Sequence, residues 1–283
     1  MGESIRTSQG TFTAELSGPA HAPLVVLLHG FPLSRHSWRA QLPALAAAGY
    51  RSLAPDQRGY SPGVRPDPRA LESYGIARLV DDVVELADAC GPVGAPFHVV
   101  GHDWGGQVAW FLAARHPERV RSLAVFSRPH PAAFRAAYLE DRDGQQGRSR
   151  HHRAFHDPAT GSLLLADGAR RLRAILAREK IPADAIERHL EVLGSAEAME
   201  AALAWYRAAG TLAAISVGAV AAPTLYVWGD ADSTVGSSAA QATAAWVTGP
   251  YRFERVPGLG HCVSDEDPEL ATRVLLEHLR SVR

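Results

Sequence analysis

Apolar, β-rich runs recur along the chain at Thr11 to Leu16, Leu24 to Leu28, Arg51 to Ala54, Phe97 to Val100, Ser122 to Phe126, Thr224 to Trp228 and Tyr251 to Val256, with helix-like segments between them. Strands that alternate with helices predict a largely parallel sheet covered on both faces. Between Pro129 and Thr211 the strand-like runs stop and helical ones replace them, including Ala169 to Arg178, Ala183 to Leu193 and Ala196 to Ala209. The pattern therefore predicts an α/β core made of residues 1–128 and 213–283, with a helical cap, residues 129–212, inserted into it. The charged stretch Glu140 to Arg153 reads as a solvated connection within that cap.

Composition narrows the picture. At 283 residues, 46% apolar and 21% charged, the chain is long enough for one large core and too apolar for disorder. A formal charge of −1 gives no electrostatic case for nucleic acid or for an acidic membrane surface. Cys90 and Cys262 form neither a disulfide framework nor a metal-ligand cluster, so a reducing compartment, the cytoplasm, is expected. Met1 to Gly10 lacks the pattern of a signal peptide. Ala208 to Trp228 carries no charge, but Gly210, Gly218 and Pro223 interrupt it and its second half reads as a strand, so no membrane span is expected. His152 and His156 would share a helix face beside His151, yet no third-ligand pattern accompanies them, so no metal is expected. Lys180 is the single lysine.

Candidate chemistry concentrates at Gly101-His102-Asp103-Trp104-Gly105-Gly106, which follows the run Phe97 to Val100 and opens a helix-like run from Gln107 to Arg115. A strand, a tight glycine-flanked turn and a helix make a nucleophile elbow, which lifts its central side chain out at the carboxyl end of the sheet. The usual serine is replaced here by Asp103. A carboxylate is a poor acyl acceptor but a reasonable nucleophile toward strained or activated carbon, giving an alkyl ester that water must then cleave. Epoxides and alkyl halides fit that logic.

Two further pieces follow in order. Gly229-Asp230-Ala231-Asp232 comes after the strand ending at Trp228, and Pro257-Gly258-Leu259-Gly260-His261 after the strand ending at Val256. The order nucleophile, acid, histidine, with each group at the carboxyl end of a strand, is that of the α/β hydrolases. With His29-Gly30-Phe31-Pro32, Asp56-Gln57-Arg58-Gly59-Tyr60-Ser61 and Trp205-Tyr206-Arg207, the chain resembles the α/β-hydrolase-fold epoxide hydrolases over nearly its whole length, and is akin to the haloalkane dehalogenases.

The resemblance implies that Asp103 attacks carbon, that His261 activates water against the ester, and that Asp232, rather than its neighbour Asp230, orients His261. It implies an oxyanion hole from the N–H groups of Phe31 and Trp104, and no cofactor. Some relatives place the acid after the preceding strand, where this chain has Ser127. His29, Asp56 and Arg58 are expected to shape loops, and Trp38, Trp110 and Trp246 to pack.

Epoxide hydrolases generally hold the opening oxygen with two cap tyrosines. Tyr206 matches one. The other precedes a Phe-x-x-Pro segment, here Phe155 to Pro158, and its place holds His151, with Tyr138 as the rival second donor. Dehalogenation is the alternative: Trp104 matches one arm of a halide cradle, but Phe31 occupies the usual Asn position. Fluoroacetate dehalogenases carry arginines just after the nucleophile, where this chain has Trp104 and Gln107. A non-catalytic binding protein on the same fold is the out-of-class alternative. The expected partner is a small apolar epoxide, and the resemblance leaves room for a homodimer.

Overall fold

The computed structural model describes residues 2–210, 214 and 217–282. Its strands are β1 (Glu3–Thr7), β2 (Gly10–Ser17), β3 (Leu24–Leu28), β4 (Arg51–Pro55), β5 (Phe97–His102), β6 (Val120–Phe126), β7 (Thr224–Gly229) and β8 (Tyr251–Val256). They form one eight-stranded sheet in the order β1-β2-β4-β3-β5-β6-β7-β8. β1 and β2 are antiparallel to each other and β2 to β4; from β4 to β8 the neighbours run parallel. All the strands expected from the sequence are present, and β1 is an addition.

Around the sheet run α1 (Gln41–Ala47), α2 (Ile76–Cys90) and α3 (Trp104–Arg115), then α4 (Pro131–Leu139), α5 (Gln145–Arg148), α6 (Arg150–Phe155), α7 (Thr160–Arg178), α8 (Ala183–Leu193) and α9 (Ala196–Ala209), and finally α10 (Ser237–Ala242), α11 (Val263–Glu266) and α12 (Pro268–Ser281). The parallel strands are buried on both faces, so their residues alternate between two apolar layers. Val25, Leu27 and Val100 meet Leu42 and Leu45 of α1 and Val274, Leu275 and Leu279 of α12. Leu24, Val26, Leu28 and Val99 meet Leu79, Val83 and Leu86 of α2 and Val108 and Leu112 of α3. Helix starts are set locally: Ser195 accepts from Ala198 N–H at 3.2 Å to begin α9, and Asp267, followed by Pro268, accepts from Leu270 N–H at 2.9 Å to begin α12.

Helices α4 to α9 form a helical insertion between β6 and β7. The first expected junction, after residue 128, falls just beyond β6; the second, between 212 and 213, lies outside the described residues. The insertion is anchored on the core by Trp205 Nε1, which donates to the Arg58 carbonyl at 3.0 Å, and by His189 Nδ1, 2.9 Å from Ser34 Oγ. Helix α7 starts earlier than its apolar pattern indicates, at Thr160, and is broken at Ala166 to Ala169, where Asp167, Gly168 and Ala169 have positive φ. Arg58 and Asp56 do shape their turn, through a buried pair with Asp82 at 2.6 Å and a pair with Arg35. Trp38 and Trp110 are fully buried, whereas Trp246 is 36% exposed and stacks on His130.

Candidate active site

Asp103 stands between β5 and α3 with φ 49° and ψ −116°, a conformation that costs a non-glycine residue about 1–3 kcal/mol. The surrounding glycines permit it because backbone passes where side chains would be. A Cβ on Gly101 would lie 2.4 Å from Gly105 O, one on Gly105 2.1 Å from Leu28 O, and one on Gly30 2.6 Å from Asp103 Oδ1. The turn therefore presses the Asp103 carboxylate against the loop after β3, where Phe31 N–H donates to Oδ1 at 3.0 Å. Trp104 is the first residue of α3, so its N–H has no intrahelical acceptor.

The other oxygen, Oδ2, lies 3.5 Å from His261 Nε2. On the far side of the ring, Nδ1 is 2.9 Å from Asp232 Oδ2. Asp230, the rival acid, instead accepts from Gly258 N–H and pairs with Arg255 at 3.0 Å on the exposed side. Asp232 Oδ1 accepts from Thr234 N–H at 2.7 Å, Thr234 Oγ at 2.8 Å and Val235 N–H at 3.1 Å. Thr234 Oγ also sits 2.9 Å from His261 Nδ1. The backbone of the histidine is fixed as well, since His102 Nε2 bonds the His261 carbonyl at 2.9 Å. Ser127, at the alternative acid position, is buried with its hydroxyl unpaired.

These contacts set the charges. Burial opposes ionisation of Asp103, but the hydrogen bond and charge of His261, with the buried Arg128 guanidinium adding to them, hold its carboxyl well below the usual carboxylate range. Burial likewise disfavours a charged His261, yet Asp232 and Asp103 outweigh it and hold the ring well above the ordinary histidine value. Arg128 donates from Nε to Gln107 Oε1 at 2.9 Å and lies 4.3 Å over the Phe134 ring.

A cavity of about 210 Å³ opens above Asp103 and His261. Its apolar wall is Phe31, Leu33, Phe155, Leu164, Leu172, Ile175 and Leu176, and its polar groups include His151, Tyr206 and Thr234. Tyr206 is packed edge-on against Phe31, Trp104 and Phe155 at ring distances of 5.5, 5.1 and 4.7 Å. Burial, then the Asp103 charge, push its phenol well above 10. His151 is pushed down to about 4 by burial, so it is a neutral ring near pH 7. Its Nδ1 is 3.1 Å from the Arg148 carbonyl, which places the proton on Nδ1 and leaves a lone pair on Nε2. His151 is thus in the cavity, as expected, but its one N–H is already engaged. Tyr138 lines a separate outer cavity with His152 and His156 and does not reach this one.

Thr234 and Arg128 were not singled out by the sequence. Thr234 had a faint signal, a hydroxyl two residues after the acid in Asp232-Ser233-Thr234. Arg128 had none. Among the described residues no group of three or more His, Cys, Asp or Glu side chains could hold a metal, and no helix is long and apolar enough to cross a membrane.

A parallel sheet carrying an elbow, an acid loop and a histidine loop at its carboxyl edge defines an α/β hydrolase. The chain belongs to the α/β hydrolase fold family, whose sequence profile matches residues 23–268. Its relatives include Epoxide hydrolase A of Mycobacterium tuberculosis, 33% identical with 93% of this chain and 92% of that protein covered. Epoxide hydrolase 3 of Xenopus tropicalis is 29% identical, covering 93% and 73%. Among solved structures, epoxide hydrolase A from Mycobacterium thermoresistibile superposes with a TM-score of 0.81 at 29% identity over 99% of this chain and 98% of that one. An epoxide hydrolase from Bacillus megaterium in complex with an inhibitor gives 0.87 at 25% identity over 98% and 100%.

Proposed function

We propose that the protein is an epoxide hydrolase that turns a small, largely apolar epoxide into a vicinal diol through an ester on Asp103, with the helical insertion as its cap. The observation that carries this reading is a carboxylate, not a hydroxyl, at the elbow, 3.5 Å from a histidine that is backed by a second carboxylate.

In the first step an Asp103 oxygen attacks a ring carbon, the ring C–O bond breaks, and the departing oxygen takes the phenolic proton of Tyr206. Esterification removes the charge of Asp103. One of the two anions that raise the His261 pKa is then gone, so the ring passes its proton to the Tyr206 phenolate and becomes a base when one is needed. In the second step a water attacks Asp103 Cγ and gives a proton to His261 Nε2, while the oxyanion rests on Phe31 and Trp104 N–H. Collapse of this intermediate expels the diol oxygen, which takes the proton back from His261. The regenerated acid on Asp103 gives its proton to His261, which restores the charged pair, so the balance is epoxide plus water to diol.

The dehalogenase alternative finds less support. Phe31 offers a leaving halide only a backbone N–H, and that N–H already donates to Asp103 Oδ1 at 3.0 Å. His261→Gln should form the ester and stall, because ring opening needs Asp103 and Tyr206 alone. Intact-mass spectrometry after treatment with a styrene-type epoxide, a bromoalkane or fluoroacetate tests this. A mass increase with the epoxide supports the reading. An adduct only with a halide compound, or none at all, overturns it.

A further inference from the structure

The chain has a single lysine, Lys180, and the fold uses it where the insertion meets the histidine loop. Lys180 Nζ pairs with Glu266 Oε2 at 2.7 Å, although the lysine side chain is 63% exposed and the glutamate 2%. A carboxylate this buried needs compensation on every side. Its other oxygen, Oε1, accepts from Gly260 N–H at 2.8 Å, and Gly260 immediately precedes His261. A Cβ on Gly260 would lie 2.5 Å from that oxygen, so the loop and the carboxylate are fitted to each other. His261 is therefore gripped through its backbone from two directions, by Glu266 at the preceding N–H and by His102 at its own carbonyl.

On the other side of the ion pair, Lys180 ends a segment that also walls the cavity. Leu176, Arg178 and Glu179 line it, and Ile181 N–H bonds back to the Leu176 carbonyl at 3.2 Å. The ion pair thus joins the cavity wall of the insertion to the loop that carries His261, and no hydrogen bond or ion pair among the described residues links it to Asp103 or Tyr206.

We propose that Lys180 and Glu266 are a positioning pair through which the cap sets the aim of His261, so that ester hydrolysis, and not ring opening, depends on the lysine charge. The proposal rests on the two-step epoxide reading. Without the lysine, Glu266 is a buried anion short of a partner; it turns toward water, releases Gly260 N–H, and His261 drifts from the line of the attacking water. Misalignment of a catalytic base by fractions of an ångström slows its step on the order of ten- to a hundredfold.

The test is single-turnover kinetics of Lys180→Met and Lys180→Arg with a styrene-type epoxide, resolving ester formation from ester decay. Lys180→Met should form the ester at the wild-type rate and hydrolyse it about ten- to a hundredfold more slowly, so that ester accumulates in the intact mass. Lys180→Arg, which keeps the charge, should recover most of the decay rate. Wild-type decay in Lys180→Met overturns the proposal, as does equal slowing of both steps, which marks a general structural defect. Absence of any ester even in His261→Gln overturns the epoxide reading instead, a result distinct from both.

Discussion

To act as the proposed nucleophile, Asp103 has to be ionised, accessible and aimed, and each requirement is met by a different neighbour. The charges of His261 and Arg128 favour ionisation, the strained elbow exposes the carboxylate to the cavity, and Phe31 N–H fixes one oxygen so that the other is free to attack. Tyr206 has no rival of equal strength as proton donor. Its phenol stays protonated across neutral pH, whereas the His151 proton is committed to the Arg148 carbonyl. Tyr206→Phe is therefore expected to slow ester formation on the order of a hundredfold or more, the worth of a lost general acid. His151→Ala should cost less than about tenfold, and His151→Tyr should keep the rate within about tenfold by supplying a second phenol. Stopped-flow fluorescence, with Trp104 beside the nucleophile, measures that step. Equal losses in Tyr206→Phe and His151→Ala would return His151 to the role of second donor. Asp103, Asp232 and His261 were legible because each sits in a short motif at a strand end. Thr234 and Arg128 were not, since their roles come from contacts across the fold that no spacing encodes.

The elbow is tightly specified, and its glycines are there for space. Gly105→Ala would put a Cβ 2.1 Å from the Leu28 carbonyl oxygen, so β3 or α3 must move; a loss of about 3 kcal/mol or more is expected. Gly147 in α5 has nothing within 4 Å of a built Cβ, so Gly147→Ala should be neutral or stabilising by up to about 1 kcal/mol. Urea midpoints of the two variants check this, and equal stability of both would contradict the packing argument. The elements that periodicity missed fail for physical reasons. β1, Glu-Ser-Ile-Arg-Thr, is a polar edge strand whose residues are mostly exposed, so pairing with β2 rather than an apolar face defines it. The stretch 140–153, expected to be a solvated connection, is largely exposed but also clasps the acid loop. Gln145, fully buried, donates to Thr234 O at 2.7 Å and accepts from Gly236 N–H, and Arg148 donates to Asp232 O at 2.7 Å. Those partners are backbone groups 84–91 residues away in the chain; side-chain patterning carries no trace of them.

In the proposed mechanism core and insertion divide the labour: the sheet edge holds Asp103, His261 and Asp232, while the insertion supplies the apolar wall, the Tyr206 phenol and grips on the loops that carry Asp232 and His261. The largely parallel sheet, with Asp103, Asp232 and His261 at the carboxyl ends of its strands, could be read in advance because strands alternating with helices leave few arrangements. The packing of the insertion onto the core could not, since it runs through single contacts such as Trp205 to Arg58 O and His189 to Ser34. The central claim is that the carboxylate of Asp103 itself becomes the ester. A single turnover in heavy-oxygen water, followed by peptide mass spectrometry of the segment containing Asp103 and of the diol, tests it most directly. The account predicts label in the Asp103 carboxylate and an unlabelled diol; label in the diol with an unlabelled Asp103 would contradict it.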